Sequence, residues 1–65
     1  MRTLESERRK QGYSLRGLQA ASGVNKTTIN QIERGRFLPS EYQLAKLASA
    51  LRWEGELSGL LGDVS

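Results

Sequence analysis

The sequence contains no cysteine and no histidine. Without cysteine, a disulfide framework and a thiolate zinc site are both excluded. Without histidine, the commonest general acid–base residue and a common metal ligand are missing. The carboxylates that remain are scattered along the chain. The sequence therefore predicts no enzyme, no metal site and no cofactor.

Long apolar runs are also missing. No segment approaches the ~20 apolar residues that cross a bilayer, and no signal-peptide pattern opens the sequence. We therefore expect a cytoplasmic protein with no membrane partner. With 65 residues, the chain is predicted to form one small domain over residues 1–65, with limited stability of its own.

Helical periodicity and capping residues dominate what is present, and no segment shows a strand pattern. Helices are predicted at about residues 2–11, 15–22, 26–34 and 56–61, with a further one starting after the Ser40 cap and carrying an inward stripe to Leu51. Met1 and Leu4 are the inward candidates of the first helix, and residues 62–65 are expected to be loose. The predicted architecture is all-α, with five short helices around one core.

Residues 14–35 are predicted to form two helices joined by a tight turn. Ser14 and Asn25 are suitable N-caps for the two helices. Gly23 follows the first helix at a position where a left-handed residue is common, and Gly35 ends the second. Val24 is expected to point into the angle between the helices. This arrangement is a helix-turn-helix.

The second helix of this motif carries an unusual polar face. It consists of lysine, threonine, asparagine, glutamine and arginine, with Glu33 as its only acid. Amides and guanidinium groups can form paired hydrogen bonds with adenine and guanine edges, and threonine methyls can contact thymine methyls. From composition alone, a solvated helix face that lacks acids is an equally good interpretation.

Basic charge is concentrated in the same half of the chain. Residues 8–36 contain seven basic residues and one acid, whereas residues 37–65 contain two basic residues and four acids. This asymmetry indicates an anionic partner, and nucleic acid is the usual one. A membrane-surface helix would need a broad apolar face, which residues 14–35 lack. Binding to RNA, or to nucleic acid without sequence preference, stays open.

Residues 4–61 resemble the compact five-helix DNA-binding domain of the Cro and phage-repressor family, which is lambda-repressor-like. The resemblance rests on the Gly12-Tyr13-Ser14 run, on Gly23-Val24 and, most strongly, on the block QIERGRFLPS at residues 31–40. Leu18, Ile29 and the stripe of the fourth helix also fit the family pattern.

The resemblance implies a transcriptional repressor of Cro type that binds a pseudo-palindromic double-stranded operator as a homodimer, with no small-molecule ligand. It places the protein at a bacterial nucleoid or in a phage-infected cell. The family's base-reading positions correspond to Lys26, Thr27, Thr28 and Gln31. The backbone or auxiliary positions correspond to Ser14, Arg16, Asn30, Arg34 and Arg36. A structural ion pair is implied between Arg8 and Glu33. The candidate dimer surface comprises Trp53, Leu57 and Leu60.

Three residues depart from the family pattern. Leu15 replaces a frequent glutamine and cannot donate to phosphate. Gly17 stands where a glutamate often completes a capping box. Gln19 replaces a small alanine at the helix crossing, so it is expected to tilt outward or to spread the two helices. An antitoxin-like helix-turn-helix protein, whose main partner is another protein, is the alternative interpretation.

Overall fold

The computed structural model describes residues 2–62. Over this range the fold is all-α, and the elements follow in the order α1 (Thr3–Lys10), α2 (Leu15–Ser22), α3 (Lys26–Glu33), α4 (Glu41–Leu51) and a 3-10 helix (Leu57–Leu61). The expectations for Met1 and for residues 63–65 lie outside the described residues. The all-α class is confirmed.

The prediction of five short helices is met by four α-helices and one 3-10 helix, so a fifth α-helix is not confirmed. Residues 57–61 form a single short 3-10 helix rather than an α-helix. The segment has only five residues, so an α-helix there would have too few hydrogen bonds to offset the unfavourable free energy of helix nucleation. It also contains Gly59, whose conformational freedom disfavours regular helix. Its shape is therefore determined by packing against the rest of the domain.

Side-chain caps define where the helices begin. Ser14 Oγ accepts a hydrogen bond from the Gly17 N–H at the start of α2. Ser40 and Gln43 form a reciprocal capping box at the start of α4. α2 ends at Gly23, which has a φ of 79° and is left-handed. These local signals mark the start of α2, the end of α2 and the start of α4.

One apolar core joins all the elements. Leu18 comes from α2, Ile29 and Ile32 come from α3, and all three are fully buried. The turn and the other helices contribute further residues. The buried core consists of Leu4, Leu18, Val24, Ile29, Ile32, Leu44, Leu47, Ala48, Leu51 and Leu60. Because Ile29 and Ile32 share one face of α3, their burial determines which face of this helix remains exposed.

Trp53 closes one end of this core. Its ring lies over Gly55 and Gly59, and its Nε1–H donates to the Glu56 carbonyl at 2.8 Å. A methyl group added at Gly59 would lie 3.1 Å from the ring, which explains why a glycine fits there. Trp53 is partly buried and packs against the core rather than standing free.

The candidate dimer surface needs one correction. Leu60 has no exposed surface and belongs to the core of its own chain. Its side chain is packed inside the core, so it cannot contact a second copy of the protein. Leu57 and Trp53 remain partly exposed beside it.

Candidate nucleic-acid interface

The outward face of α3 forms the floor of a shallow groove. Lys26 and Thr27 are exposed, and Gln31 is partly exposed. The groove is lined by these three residues together with Leu15, Asn30, Arg34 and Arg36. Three of the four predicted base-reading residues are thus brought together.

Thr28 is placed differently from the other predicted base-reading residues. It is partly buried and lines a second depression between the helix-turn-helix turn and the start of α4. Tyr42 and Lys46 form part of the wall of this depression, and the Lys46 ammonium lies 4.8 Å from the centre of the Tyr42 ring. The Thr28 side chain therefore lies at the edge of the α3 face and not in the main groove.

The N-terminus of α2 presents backbone donors. The Gly17 N–H donates to Ser14 Oγ, but the N–H groups of Leu15 and Arg16 have no hydrogen-bond partner within residues 2–62. Unpaired N–H groups at the positive end of a helix dipole form a ready binding site for a phosphate. The Arg16 side chain is exposed next to them.

The N-terminus of α3 is, in contrast, already capped twice. The Thr27 N–H donates to Asn25 Oδ1, and the Lys26 N–H donates to Gln19 Oε1, both at 2.7 Å. The sequence had suggested that Gln19 tilts outward or spreads the two helices. Instead, its side chain is turned toward the start of α3. It reaches across the turn and ties α2 to the first residue of α3.

The contact between Gln19 and the start of α3 could not be predicted from any sequence pattern. A glutamine seven residues before a helix start is no recognised cap, because capping patterns involve neighbouring residues. Only the crossing of α2 and α3 brings its amide to the Lys26 N–H. The contact orients the start of α3, where two of the predicted base-reading side chains are attached.

Gly17 and Leu15 also have a structural explanation. A methyl group added at Gly17 would lie 3.3 Å from the Tyr13 ring and 3.3 Å from Ser14 Oγ. Glycine thus lets Tyr13 pack closely over the first turn of α2. Leu15 packs partly against the core and forms an apolar wall of the groove, a suitable surface for a thymine methyl.

Ion pairing separates the basic residues of α1 from those of the helix-turn-helix. In α1, Arg8, Arg9 and Lys10 each pair with a glutamate. The four basic residues of α2, α3 and the following loop form no ion pair within the described part of the chain; these are Arg16, Lys26, Arg34 and Arg36. Three of these four residues, Lys26, Arg34 and Arg36, line the α3 groove.

The buried ion pair holds the end of α3. Arg8 Nε lies 2.7 Å from Glu33 Oε2, and Arg8 Nη2 lies 3.2 Å from Glu33 Oε1. The exposed fractions of the two side chains are only 10% and 6%. Arg8 Nη1 also donates to the Tyr13 carbonyl at 2.9 Å. One guanidinium thus connects α1, the entry to α2 and the last turn of α3.

The loop after α3 is exposed. Arg36 is exposed at the groove, and its backbone N–H donates to the Gln31 carbonyl at 2.9 Å. Phe37, the next residue, is 45% exposed and is not among the hydrophobic residues packed against the core.

Residues 2–62 contain neither a membrane-spanning helix nor a cluster of metal-binding side chains. No helix in this range is long and apolar enough to span a bilayer. No group of three or more carboxylates is arranged there to hold a metal ion.

Comparison with known proteins places the fold and this groove in context. Residues 4–53 match the family model described as helix-turn-helix. Searches of curated proteins and of solved structures found no match. The matched range contains α2 to α4, all of α1 except Thr3, and the complete groove. The chain belongs to the helix-turn-helix family of Cro and phage-repressor type, a family of DNA-binding regulators.

Proposed function

We propose that the protein is a sequence-specific regulator that binds double-stranded DNA and acts as a Cro-type repressor. The observation that carries this proposal is the α3 groove. Its lining is rich in amide, hydroxyl and cationic groups, and it holds three basic side chains that have no acidic partner in residues 2–62. An ordinary solvated helix face usually mixes acidic and basic residues, so this excess of amide and cationic groups favours a DNA-binding role.

Docking of α3 in the major groove follows from its size and polarity. Eight residues of α-helix are about 12 Å long. At ~3.4 Å per base pair, this length covers roughly four base pairs. Lys26, Thr27 and Gln31 then lie at the base edges, where amide and ammonium groups distinguish the pairs.

Phosphate contacts flank this reading helix. The free N–H groups at the start of α2, with Arg16, are placed to bind one phosphate, and Arg36 is placed to bind another. Ser14 is engaged as the cap, so it supports the site by shaping the helix start. Arg16 and Arg36 fix the orientation of the protein on the duplex, while the α3 side chains supply the sequence preference.

A dimer on DNA completes the proposal. One eight-residue helix reads too short a site for tight and selective binding, and this fold commonly reads two half-sites ~34 Å apart. The partly exposed Trp53 and Leu57 are the remaining candidates for the contact between copies. The protein would act in the cytoplasm, at a bacterial nucleoid or in a phage-infected cell.

The test begins with selection of a binding site from a random duplex library by the wild-type protein. Fluorescence anisotropy then compares the selected duplex, a shuffled duplex and an RNA duplex of the same sequence. We expect the selected DNA to bind about 10³-fold or more tightly than the shuffled DNA. Equal affinities for all three duplexes would indicate nonspecific nucleic-acid binding, and no binding at all would contradict the proposal.

A further inference from the structure

Asn30 and Arg34 form a hydrogen-bonded unit at the C-terminal end of the α3 groove. Arg34 Nε donates to Asn30 Oδ1 at 2.8 Å, and the Arg34 backbone N–H donates to the Asn30 carbonyl at 3.0 Å. The two residues are one helical turn apart and line the groove together with Lys26, Thr27 and Gln31. Their side chains are thus joined before any DNA is present.

This bond determines how the Asn30 amide is oriented. Arginine Nε is only a donor, so the amide atom facing it must be the oxygen. A bidentate contact with adenine requires that both the oxygen and the nitrogen of asparagine face the same base edge. Because Oδ1 is directed at Arg34, Asn30 is not arranged to read adenine.

The atoms left over are all hydrogen-bond donors. Asn30 retains its Nδ2 amino group, and Arg34 retains the Nη1 and Nη2 groups. Arg34 also has no acidic partner in residues 2–62, so its charge is not neutralised by the protein. The unit therefore matches a pair of acceptors and repels a donor.

We propose that Arg34 reads a guanine through its Nη1 and Nη2 groups and that Asn30 is the positioning residue that aims the guanidinium. Guanine presents two adjacent acceptors, O6 and N7, in the major groove, and arginine binds them as a fork. The inference rests on the proposed DNA-binding function and adds the base class that this end of α3 recognises.

The position of the unit favours a base over a phosphate. Arg34 shares its groove with the residues of the exposed α3 face, one and two helical turns from Asn30 and Lys26. The bond to Asn30 holds Nε on the helix side, so the two terminal nitrogens form the exposed end of the side chain. Because an arginine fork also fits a phosphate, it is the place of Arg34 beside Lys26, Thr27 and Gln31 that favours a base.

The experiment uses the duplex selected by the wild-type protein, with each guanine replaced in turn by 7-deazaguanine, which lacks the N7 acceptor. For wild type we expect one guanine in each half-site whose replacement weakens binding about 5- to 100-fold. For Arg34→Ala the same replacement should change affinity less than about twofold, because the contact is already lost. Circular dichroism verifies that each variant is folded.

Two further variants separate reading from simple charge. Arg34→Lys keeps the charge but loses the fork, so its salt dependence should equal that of wild type while its penalty for 7-deazaguanine falls below that of wild type. Asn30→Ala keeps Arg34 but frees it, so the penalty for 7-deazaguanine should fall between those of wild type and Arg34→Ala, with the salt dependence unchanged.

Several results would overturn the inference. If Arg34→Ala keeps the wild-type penalty for 7-deazaguanine, or if it weakens all duplexes equally, Arg34 does not read the guanine. If Asn30→Ala retains the full wild-type penalty, Asn30 does not position Arg34. If wild type selects a site and Arg34→Ala selects the same site, only this inference fails. If wild type selects no site, the proposed function fails with it.

Discussion

Removal of the Arg8 guanidinium is expected to cost the domain most of its stability. Arg8→Ala leaves the Glu33 carboxylate, only 6% exposed, without the two N–H groups that now lie 2.7 and 3.2 Å from it. It also removes the donor to the Tyr13 carbonyl. Breaking a buried pair by deleting one partner costs about 3–5 kcal/mol. A chain of this size has a free energy of unfolding of about 3–10 kcal/mol in total.

The assay is urea denaturation followed by Trp53 fluorescence and by far-UV circular dichroism. Trp53 is a suitable reporter because its ring packs against the core and its indole N–H is bonded to Glu56. We expect Arg8→Ala to be largely unfolded at room temperature without urea, and its DNA binding to fall only because folded protein is scarce.

Arg9→Ala is the matched control. Arg9 lies next to Arg8 in the sequence and also forms an ion pair, to Glu5 at 2.9 Å, but its side chain is 62% exposed. Removal of an exposed pair should change the free energy of unfolding by less than about 1 kcal/mol. If Arg8→Ala and Arg9→Ala unfold at the same urea concentration as wild type, the buried pair does not hold α3 and the reasoning is refuted.

Further predictions concern the groove and its supports. Gln31→Ala should weaken binding to the selected site by about 1–3 kcal/mol and relax one base position, as measured by anisotropy on single-base variants; an equal loss on shuffled DNA would contradict base reading. Arg36→Ala should weaken binding to every duplex and reduce the salt slope by roughly one unit, whereas Lys10→Ala, which removes a paired charge on α1, should leave the slope unchanged. Gln19→Ala frees the Lys26 N–H and should cost about 0.5–2 kcal/mol in urea denaturation; an unchanged midpoint would show that the cap is unimportant. Sedimentation of the complex should give two copies per selected operator, and one copy would refute the dimer.

The helices of the motif could be predicted from the sequence because their ends are marked locally. Ser14, Gly23 and Asn25 act within two or three residues of their own position, so a pattern suffices to place them. The burial of Ile29 and Ile32 follows from helical spacing alone. The outward face of α3 is a direct consequence of this burial.

Contacts between distant residues could not be predicted in the same way. The Gln19 cap depends on the angle at which α2 crosses α3, which no local pattern specifies. The burial of Leu60 and the 3-10 geometry around it depend on how Trp53 and α4 leave space for a five-residue segment. The Arg8–Glu33 pair was predicted only because the family resemblance implied it, since its partners are 25 residues apart.

The most direct test of the central claim is a map of the DNA-binding surface by NMR. The wild-type protein, labelled with ¹⁵N, is titrated with the selected operator duplex, and the backbone amide shifts are followed. The account predicts the largest shifts at Leu15 and Arg16 and along Lys26–Glu33, with small shifts at Leu44, Leu47 and Ala48 of α4, which are buried in the core. Large shifts confined to α1 or α4, with α3 unchanged, would contradict the claim that α3 reads the DNA.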